Sequence, residues 1–239
     1  MKIALLGYGK MGKAIEKIAL ERGHEITLKI DSNNSNVLKS GCFKNTEVAI
    51  DFSTPSTAQA NIEQALRSKT PIISGTTGWL EGLQAVNQLC ISENTAFLYA
   101  SNFSLGVNLF FELNKNLAKL MSSHKDYNVA MTEIHHTQKL DAPSGTSISL
   151  AGQIIKENTQ KNKWILNNAN SINELKIEAI RKNTVPGTHT IKYESEIDTI
   201  SISHEAHSRR GFALGAVIAA EWLYTKKGVF TMKDVLFSD

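Results

Sequence analysis

The 239-residue sequence predicts an α/β fold in two parts, a parallel sheet followed by a smaller α+β part with a mixed, mostly open sheet. Three observations predict it. Strand and helix patterns alternate through residues 2–101. A glycine-rich turn joins the first strand to the first helix. Three strand-like segments near the carboxyl end follow one another with no helix between them. Alternation of this kind builds βαβ units on a parallel sheet, whereas consecutive strands build an antiparallel or mixed layer.

KIALL (Lys2–Leu6) is a short apolar run ending in glycine, the pattern of a buried strand. KMGKAIEKIALERG then puts Met11, Ile15, Ile18 and Leu20 near one helical face, and Gly23 stops it. EITLKID and EVAIDFS (Glu47–Ser53) are the next strands, with Pro55 near the start of a helix through STAQANIEQALRS. PIISG, a helix across LEGLQAVNQLCISEN, and TAFLYAS continue the alternation.

Past Asn102 the rhythm breaks. LGVNLFFELNKNLAKLMSS is a long amphipathic helix, YNVAMTEIHH a strand and TSISLAGQIIKE a helix. ELKIEAIRK, THTIKYESE and TISISHEA are strands, with VPGTH (Val185–His189) as a turn among them. RRGFALGAVIAAEWLYTKK has the apolar spacing of a helix that packs on another layer, and the polar stretch KNKWILNNANSINE (Lys161–Glu174) reads as a mobile loop. Two domains hinged near residue 103, with the reaction in the cleft between them, is the simplest organisation.

Composition narrows the function classes. A chain of this length buries one large core or two modest ones. At 41% hydrophobic and 21% charged residues it is ordinary for a globular protein. A net charge of +3 without a long basic run does not suggest a nucleic-acid or membrane surface. Two cysteines, Cys42 and Cys90, make no disulfide framework and lack metal-ligand spacing. With no bilayer-length apolar run and a first strand that begins directly after Met1, a cytoplasmic setting is expected.

GYGKMG (Gly7, Tyr8, Gly9, Lys10, Met11, Gly12) matches G-x-G-x-x-G immediately after a strand and at the opening of a helix. In a Rossmann-like unit the first glycine permits the tight turn, the second lets the backbone approach a pyrophosphate, and the third allows close helix–strand packing. The helix N-terminus offers N–H groups and partial positive charge to the phosphates. Nineteen residues after Gly12, Asp31 ends the second strand, where a carboxylate accepts hydrogen bonds from an adenosine ribose. Two more loops fall at strand ends, GTTGW (Gly75, Thr76, Thr77 to Trp79) and ASNFSLGVN (Ala100, Ser101, Asn102, Phe103 to Asn108), where small residues admit a nicotinamide ribose or ring. Plain turn chemistry explains either loop taken alone. Ser32, Asn33 and Asn34 follow the acid where a 2′-phosphate calls for a basic residue, so NADH is favoured over NADPH, although Lys39 could reach back.

EIHHTQKLDAPSGTS (Glu133–Ser147) is the other unusual stretch. Hydride addition to an electron-poor substrate leaves charge that must be protonated. A histidine of unperturbed pKa near ~6.5, or an ammonium, can donate that proton. Ser144, Gly145 and Thr146 at a helix start form an anion seat. Two such seats, with His136 and Lys139, suit a small dicarboxylate. The competing readings are a helix cap beside a Lys139–Asp141 surface pair, or a metal held by adjacent histidines. The metal reading is disfavoured because strand neighbours point to opposite faces and no HExxH is present.

That stretch resembles the signature of the dihydrodipicolinate reductase (4-hydroxy-tetrahydrodipicolinate reductase) family, E-x-H-H-x-x-K-x-D-A-P-S-G-T, at every fixed position. The resemblance extends to GYGKMG, VAIDFSTP, SGTTGW, ASNFSLGVN and SHEAHSRRGFALGAV, and so covers essentially the whole chain. It implies NAD(P)H-dependent reduction to (S)-2,3,4,5-tetrahydrodipicolinate on the diaminopimelate–lysine route. It implies His135 as proton donor or acceptor and Lys139 as proton donor, with His136, Gly145 and Thr146 on the substrate carboxylates and Ser144 beside them. Gly7 to Gly12 and Asp31 would hold adenosine and pyrophosphate; Gly75 to Thr77 and Ala100 to Phe103 would line the nicotinamide end. It further implies a homotetramer built through the second-domain sheet, and a terminal helix that returns to the first domain. The division is then 1–103 with 209–239 for dinucleotide binding, and 104–208 for substrate binding and oligomerisation.

The chain departs from the family in its compact stretch between Asp31 and Glu47, in the missing basic residue after the acid, and in His207 and Gly211 around Arg209. The alternatives from other classes are a different two-domain nicotinamide oxidoreductase acting on an amino or semialdehyde group, and a redox-sensing NAD-binding regulator. The regulator would not need His135, Lys139 and Ser144 to Thr146 together.

Overall fold

The computed structural model describes residues 1–34, 42–169, 171–208 and 210–237. It divides the chain into two compact units, Met1–Leu105 with Arg210–Asp239, and Gly106–Arg209.

In the first unit β1 (Lys2–Leu6), β2 (Glu25–Ile30), β3 (Val48–Asp51), β4 (Ile72–Ser74), β5 (Ala96–Tyr99) and β11 (Gly228–Phe230) form a parallel sheet in the order β11-β5-β4-β3-β1-β2. Alternate residues of the central strands supply both faces. Ile3, Leu5, Val48 and Ile50 pack with Ile15, Ile18 and Ala19 of α1 (Lys10–Glu21) and with Ala213, Ala216, Val217, Ala220 and Leu223 of α6 (Arg210–Leu223). Ala4, Leu6, Ala49 and Ile72 pack with Ala58, Ile62 and Leu66 of α2 (Pro55–Arg67) and with Val86 and Cys90 of α3 (Leu83–Ser92). Strands covered on both faces need continuous apolar runs, which KIALL and VAID supply. A 3₁₀ turn at Leu80–Gly82 interrupts the single helix expected from Leu80 onward. β11 and the short α7 (Met232–Phe237) extend the fold past the closing helix.

The second unit has a mixed five-stranded sheet. β6 (Asn128–His135), β7 (Lys163–Leu166), β8 (Glu174–Arg181), β9 (Gly187–Glu194) and β10 (Thr199–Ala206) stand in the order β10-β9-β6-β8-β7, with the last two pairings parallel. α4 (Leu105–Met121) and α5 (Gly145–Glu157) contribute Phe110, Ala118, Leu150 and Ile154 to a core with Val129, Met131, Ile177, Ile191 and Tyr193. Along β6 the burial alternates strictly, so Val129, Met131, Glu133 and His135 share the covered face.

One expectation is corrected. Lys163–Leu166 is an edge strand rather than part of a loop; Trp164 packs on the core, and the buried Lys161 ammonium fixes the entry by bonds to Asn128 Oδ1 (2.7 Å) and the Ile172 carbonyl (2.6 Å). VPGTH joins strands that are not neighbours, because β6 lies between β8 and β9, and its last three residues already belong to β9. The connection instead meets the end of β6, where Lys182 N–H donates to the His135 carbonyl at 2.8 Å.

Candidate active site

The first unit carries a cavity of about 590 Å³ lined by Gly7, Tyr8, Gly9, Ile30, Asp31, Ser32, Phe52, Ser53, Thr54, Thr57 and Asn61. It sits at the carboxyl ends of β1, β2 and β3. The chain leaves β1 for β2 on one side and returns as β3 on the other, so this is the switch point where open parallel sheets bind ligands.

The glycines fit a dinucleotide on this structure's own terms. Gly7 has φ +92°, and a Cβ there would meet the Phe52 carbonyl oxygen at 2.1 Å. A Cβ on Gly12 would meet the Gly7 carbonyl at 2.4 Å, whereas one on Gly9 would meet nothing within 4 Å. Two glycines therefore permit the turn and its packing, and the middle one faces open space. The first turn of α1 holds no acidic side chain, so a phosphate there meets no repulsion.

Asp31 sits on the cavity wall at the start of a hydrogen-bonded turn. Its Oδ1 accepts from Asn33 N–H at 2.8 Å, and Asn34 Oδ1 accepts from Asp31 N–H at 2.7 Å. The nearest described cation along β2, Lys29, is paired with Glu16 at 2.5 Å and lies over the Tyr8 ring. Lys39 and Arg209 lie outside the described residues.

Asp51, at the end of β3, went unnoticed in the sequence. It is fully buried, and its carboxylate accepts from the Ser53, Ser74 and Thr76 hydroxyls (2.7, 2.9 and 2.7 Å) and from the Asn61 amide (3.2 Å). It thereby joins the cavity wall to the Gly75–Thr77 loop. Burial pushes its pKa up against those four donors. VAIDFSTP held the signal: an acid inside a strand that is otherwise apolar. Of the other expected positions, Lys10 and Met11 start α1. Thr77 and Ser101 are exposed, Ala100 is half-buried, and Asn102 Oδ1 accepts from Ser104 N–H at 2.9 Å. Phe103 is 1% exposed and its ring packs on Phe52, so it braces the cavity wall from within the core.

In the second unit a second buried carboxylate organises the motif stretch. Glu133 Oε2 accepts from Ser144 N–H (2.9 Å) and the Ser147 hydroxyl (2.6 Å), and Oε1 accepts from the Arg181 guanidinium (3.1 Å). Ser144 caps α5, its hydroxyl accepting from Ser147 N–H at 3.2 Å. The Gly145–Thr146 start of α5 carries no acidic residue in its first turn, as an anion seat requires.

His135 is 7% exposed, with Nδ1 3.8 Å from Glu133. Burial lowers its pKa, opposed by Glu133 and supported by the Lys139 and Arg181 charges. His189, from β9, packs edge-on against it at 5.1 Å and faces the Ser144 hydroxyl at 3.2 Å. Burial, helped by His135, pushes His189 down to about 4, so its imidazole stays neutral. Glu133 is held at about 2: burial works against the charge, and the Ser144 and Ser147 bonds and His135 outweigh it. His136 lies just past the strand, half-buried, outside this network. Lys139 pairs with Asp141 at 2.7 Å, so the surface-pair reading describes its contacts here.

Glu133, His135 and His189 bring ligand atoms within 4.8 Å of one another, a size that suits a cation. The Arg181 guanidinium already supplies positive charge to the same carboxylate oxygen. No signal short of the fold could have found His189 or Arg181, since both enter from strands remote in sequence.

The whole chain matches known proteins. Residues 1–103 match the model for the dihydrodipicolinate reductase N-terminus, and residues 106–236 the model for its C-terminus. A 4-hydroxy-tetrahydrodipicolinate reductase of Christiangramia forsetii is 52% identical over 236 residues, covering 99% of this chain and 98% of that protein. The enzyme of the same name from Rickettsia bellii is 35% identical over 95% of this chain and 90% of its own length. A dipicolinate-bound dihydrodipicolinate reductase from Paenisporosarcina sp. shares the fold, with a TM-score of 0.76 at 21% identity over 97% of each chain. By both family models and by these relatives, the chain belongs to the dihydrodipicolinate reductase family.

Proposed function

We propose which residues of this chain carry the family's reaction, the NAD(P)H-dependent reduction of 4-hydroxy-tetrahydrodipicolinate to (S)-2,3,4,5-tetrahydrodipicolinate in diaminopimelate and lysine biosynthesis. The observation that carries the assignment is Glu133, which ties the strand end bearing His135 to the N-terminus of α5. A redox sensor needs no such construction.

NAD(P)H held by the first unit would supply the hydride for ring C4, whose hydroxyl leaves as water. The chain's residues do the rest. The Gly145 and Thr146 amides at the start of α5, with Ser144 beside them, receive one substrate carboxylate, and His136 the other. Lys139 lies beside the dianion and protonates the enamine carbon C3, leaving Asp141 as it does so. His135, kept neutral by burial, accepts or returns a proton in that transfer. In the first unit Gly7 to Gly12 and Asp31 hold pyrophosphate and adenosine, and Gly75 to Thr77 with Ala100 to Phe103 flank the nicotinamide. On this reading residues 1–103 and 209–239 bind dinucleotide, and 104–208 bind substrate.

NADH is the preferred donor. The Asp31 carboxylate repels a 2′-phosphate, and Lys29 is neutralised by Glu16. The sheet face not covered by α4 and α5, where Ile180 is exposed, builds a homotetramer. Among the described residues no helix is long and apolar enough to cross a membrane, in keeping with a cytoplasmic enzyme.

Loss of NADH absorbance with freshly made substrate tests the site. Lys139→Ala and His135→Ala should each lower kcat by about 10²-fold or more. Near-normal turnover in both would remove the catalytic roles. Asp31→Ala should weaken NADH; tighter NADPH than NADH binding by the parent chain would reverse the cofactor preference.

A further inference from the structure

Arg181, the last residue of β8, belongs to no motif, yet its guanidinium makes four bonds. Nε donates to the Lys139 carbonyl (3.3 Å), Nη1 to the Ile180 carbonyl (3.1 Å), and Nη2 to both the Asp141 carbonyl (2.6 Å) and Glu133 Oε1 (3.1 Å). Lys139 and Asp141 lie in a segment without regular structure, and between them Leu140 is 97% exposed. No core packing holds Leu140. Beside one turn bond, from Lys139 N–H to the His136 carbonyl (3.1 Å), what anchors the segment is a planar cation that grips it at two carbonyls and is itself held by a buried carboxylate.

We infer that Arg181 is a positioning residue that clamps the Lys139–Asp141 segment by both carbonyls and so sets where the Lys139 ammonium stands. This deepens the role proposed for Lys139 and rests on it. Only guanidinium offers donors in a fixed fork that can reach two carbonyls and a carboxylate at once. Because Glu133 also holds the start of α5 and faces His135, the clamp references Lys139 to the same carboxylate as the rest of the site. A misplacement of about 1 Å costs on the order of 10²-fold in rate, so a loose segment would show in turnover.

The experiment has three arms on the full chain. Arg181→Met should lower kcat/KM for the substrate by about 10- to 100-fold with KM for NADH unchanged. Arg181→Lys keeps the charge and should not restore more than a small part. In a Lys139→Ala background, Arg181→Met should cost less than twofold further; an equal loss in both backgrounds would show that Arg181 acts elsewhere and overturn the clamp. The third arm does not depend on Lys139 being catalytic. Trypsin cleavage at the Lys139–Leu140 bond, followed by mass spectrometry, should accelerate at least tenfold in Arg181→Met, with the other sites in residues 106–209, apart from position 181 itself, unchanged. Unchanged cleavage at that bond refutes the inference even if turnover falls. Normal turnover in Lys139→Ala with accelerated cleavage leaves the clamp standing and removes only the catalytic assignment.

Discussion

Asp51 and Glu133 are both carboxylates with no exposed surface, one in each unit, and they titrate in opposite directions. Asp51 meets only neutral donors: three hydroxyls and an amide. Burial wins there and its pKa is raised. Glu133 meets a guanidinium, an imidazole and a helix start, and is held at about 2. Burial alone does not decide the charge of a carboxylate: at Glu133 the Ser144 and Ser147 hydrogen bonds, with His135, outweigh it, and at Asp51 the hydroxyls and the amide do not. The two groups do different work accordingly. Asp51 joins loops at the cavity, its pKa raised by burial, whereas Glu133 is a fixed anion around which cationic and imidazole groups are arranged.

The sharpest way to break that contrast is Glu133→Gln. It strands Arg181 beside an uncharged amide and should cost about 3–5 kcal/mol, read from urea unfolding. A loss below about 1 kcal/mol would mean that the pair contributes little.

The pH dependence comes next. His189 titrates near 4 in the fold against an ordinary value of 6.5, so the unfolded chain binds more protons between those values. Stability is therefore fully present above pH 6.5 and falls as pH drops through that window, by about 3 kcal/mol. Glu133 adds a further fall from 4.5 towards 2, while Asp51, with its raised value, opposes the loss as pH falls through the carboxylate range. A stability curve flat from pH 7 to 4 would show that His189 is not held neutral.

Ser147→Ala removes a hydroxyl that donates to the charged Glu133 and should cost about 2 kcal/mol by thermal unfolding. Asp51→Asn should cost least, about 1 kcal/mol, because burial already favours an uncharged group there. If Asp51→Asn proves as costly as Glu133→Gln, Asp51 depends on its charge as Glu133 does and the contrast fails.

Much of this was legible in the amino-acid order. The βαβ alternation, the three glycines with Asp31, and the run from Glu133 to Ser147 are local patterns whose meaning is set within some thirty residues. Backbone sterics at Gly7 and Gly12, apolar periodicity in β1 and α1, and the capping geometry of Ser144 follow from neighbours along the chain. The strand Lys163–Leu166 was missed because an edge strand needs apolar contact on one side only, and three apolar residues in a polar stretch give no period to read.

The partners of the buried charges belong to another level. Asp51 finds Ser74 and Thr76 across a parallel pairing, and Glu133 finds Arg181 on the strand that flanks β6 on one side and His189 on the strand that flanks it on the other. Sequence determined which titratable groups stand in the motifs and what backbone carries them. Tertiary structure alone decided which of them are charged, because charge in a buried site depends on groups that only strand order and register bring within a few ångströms.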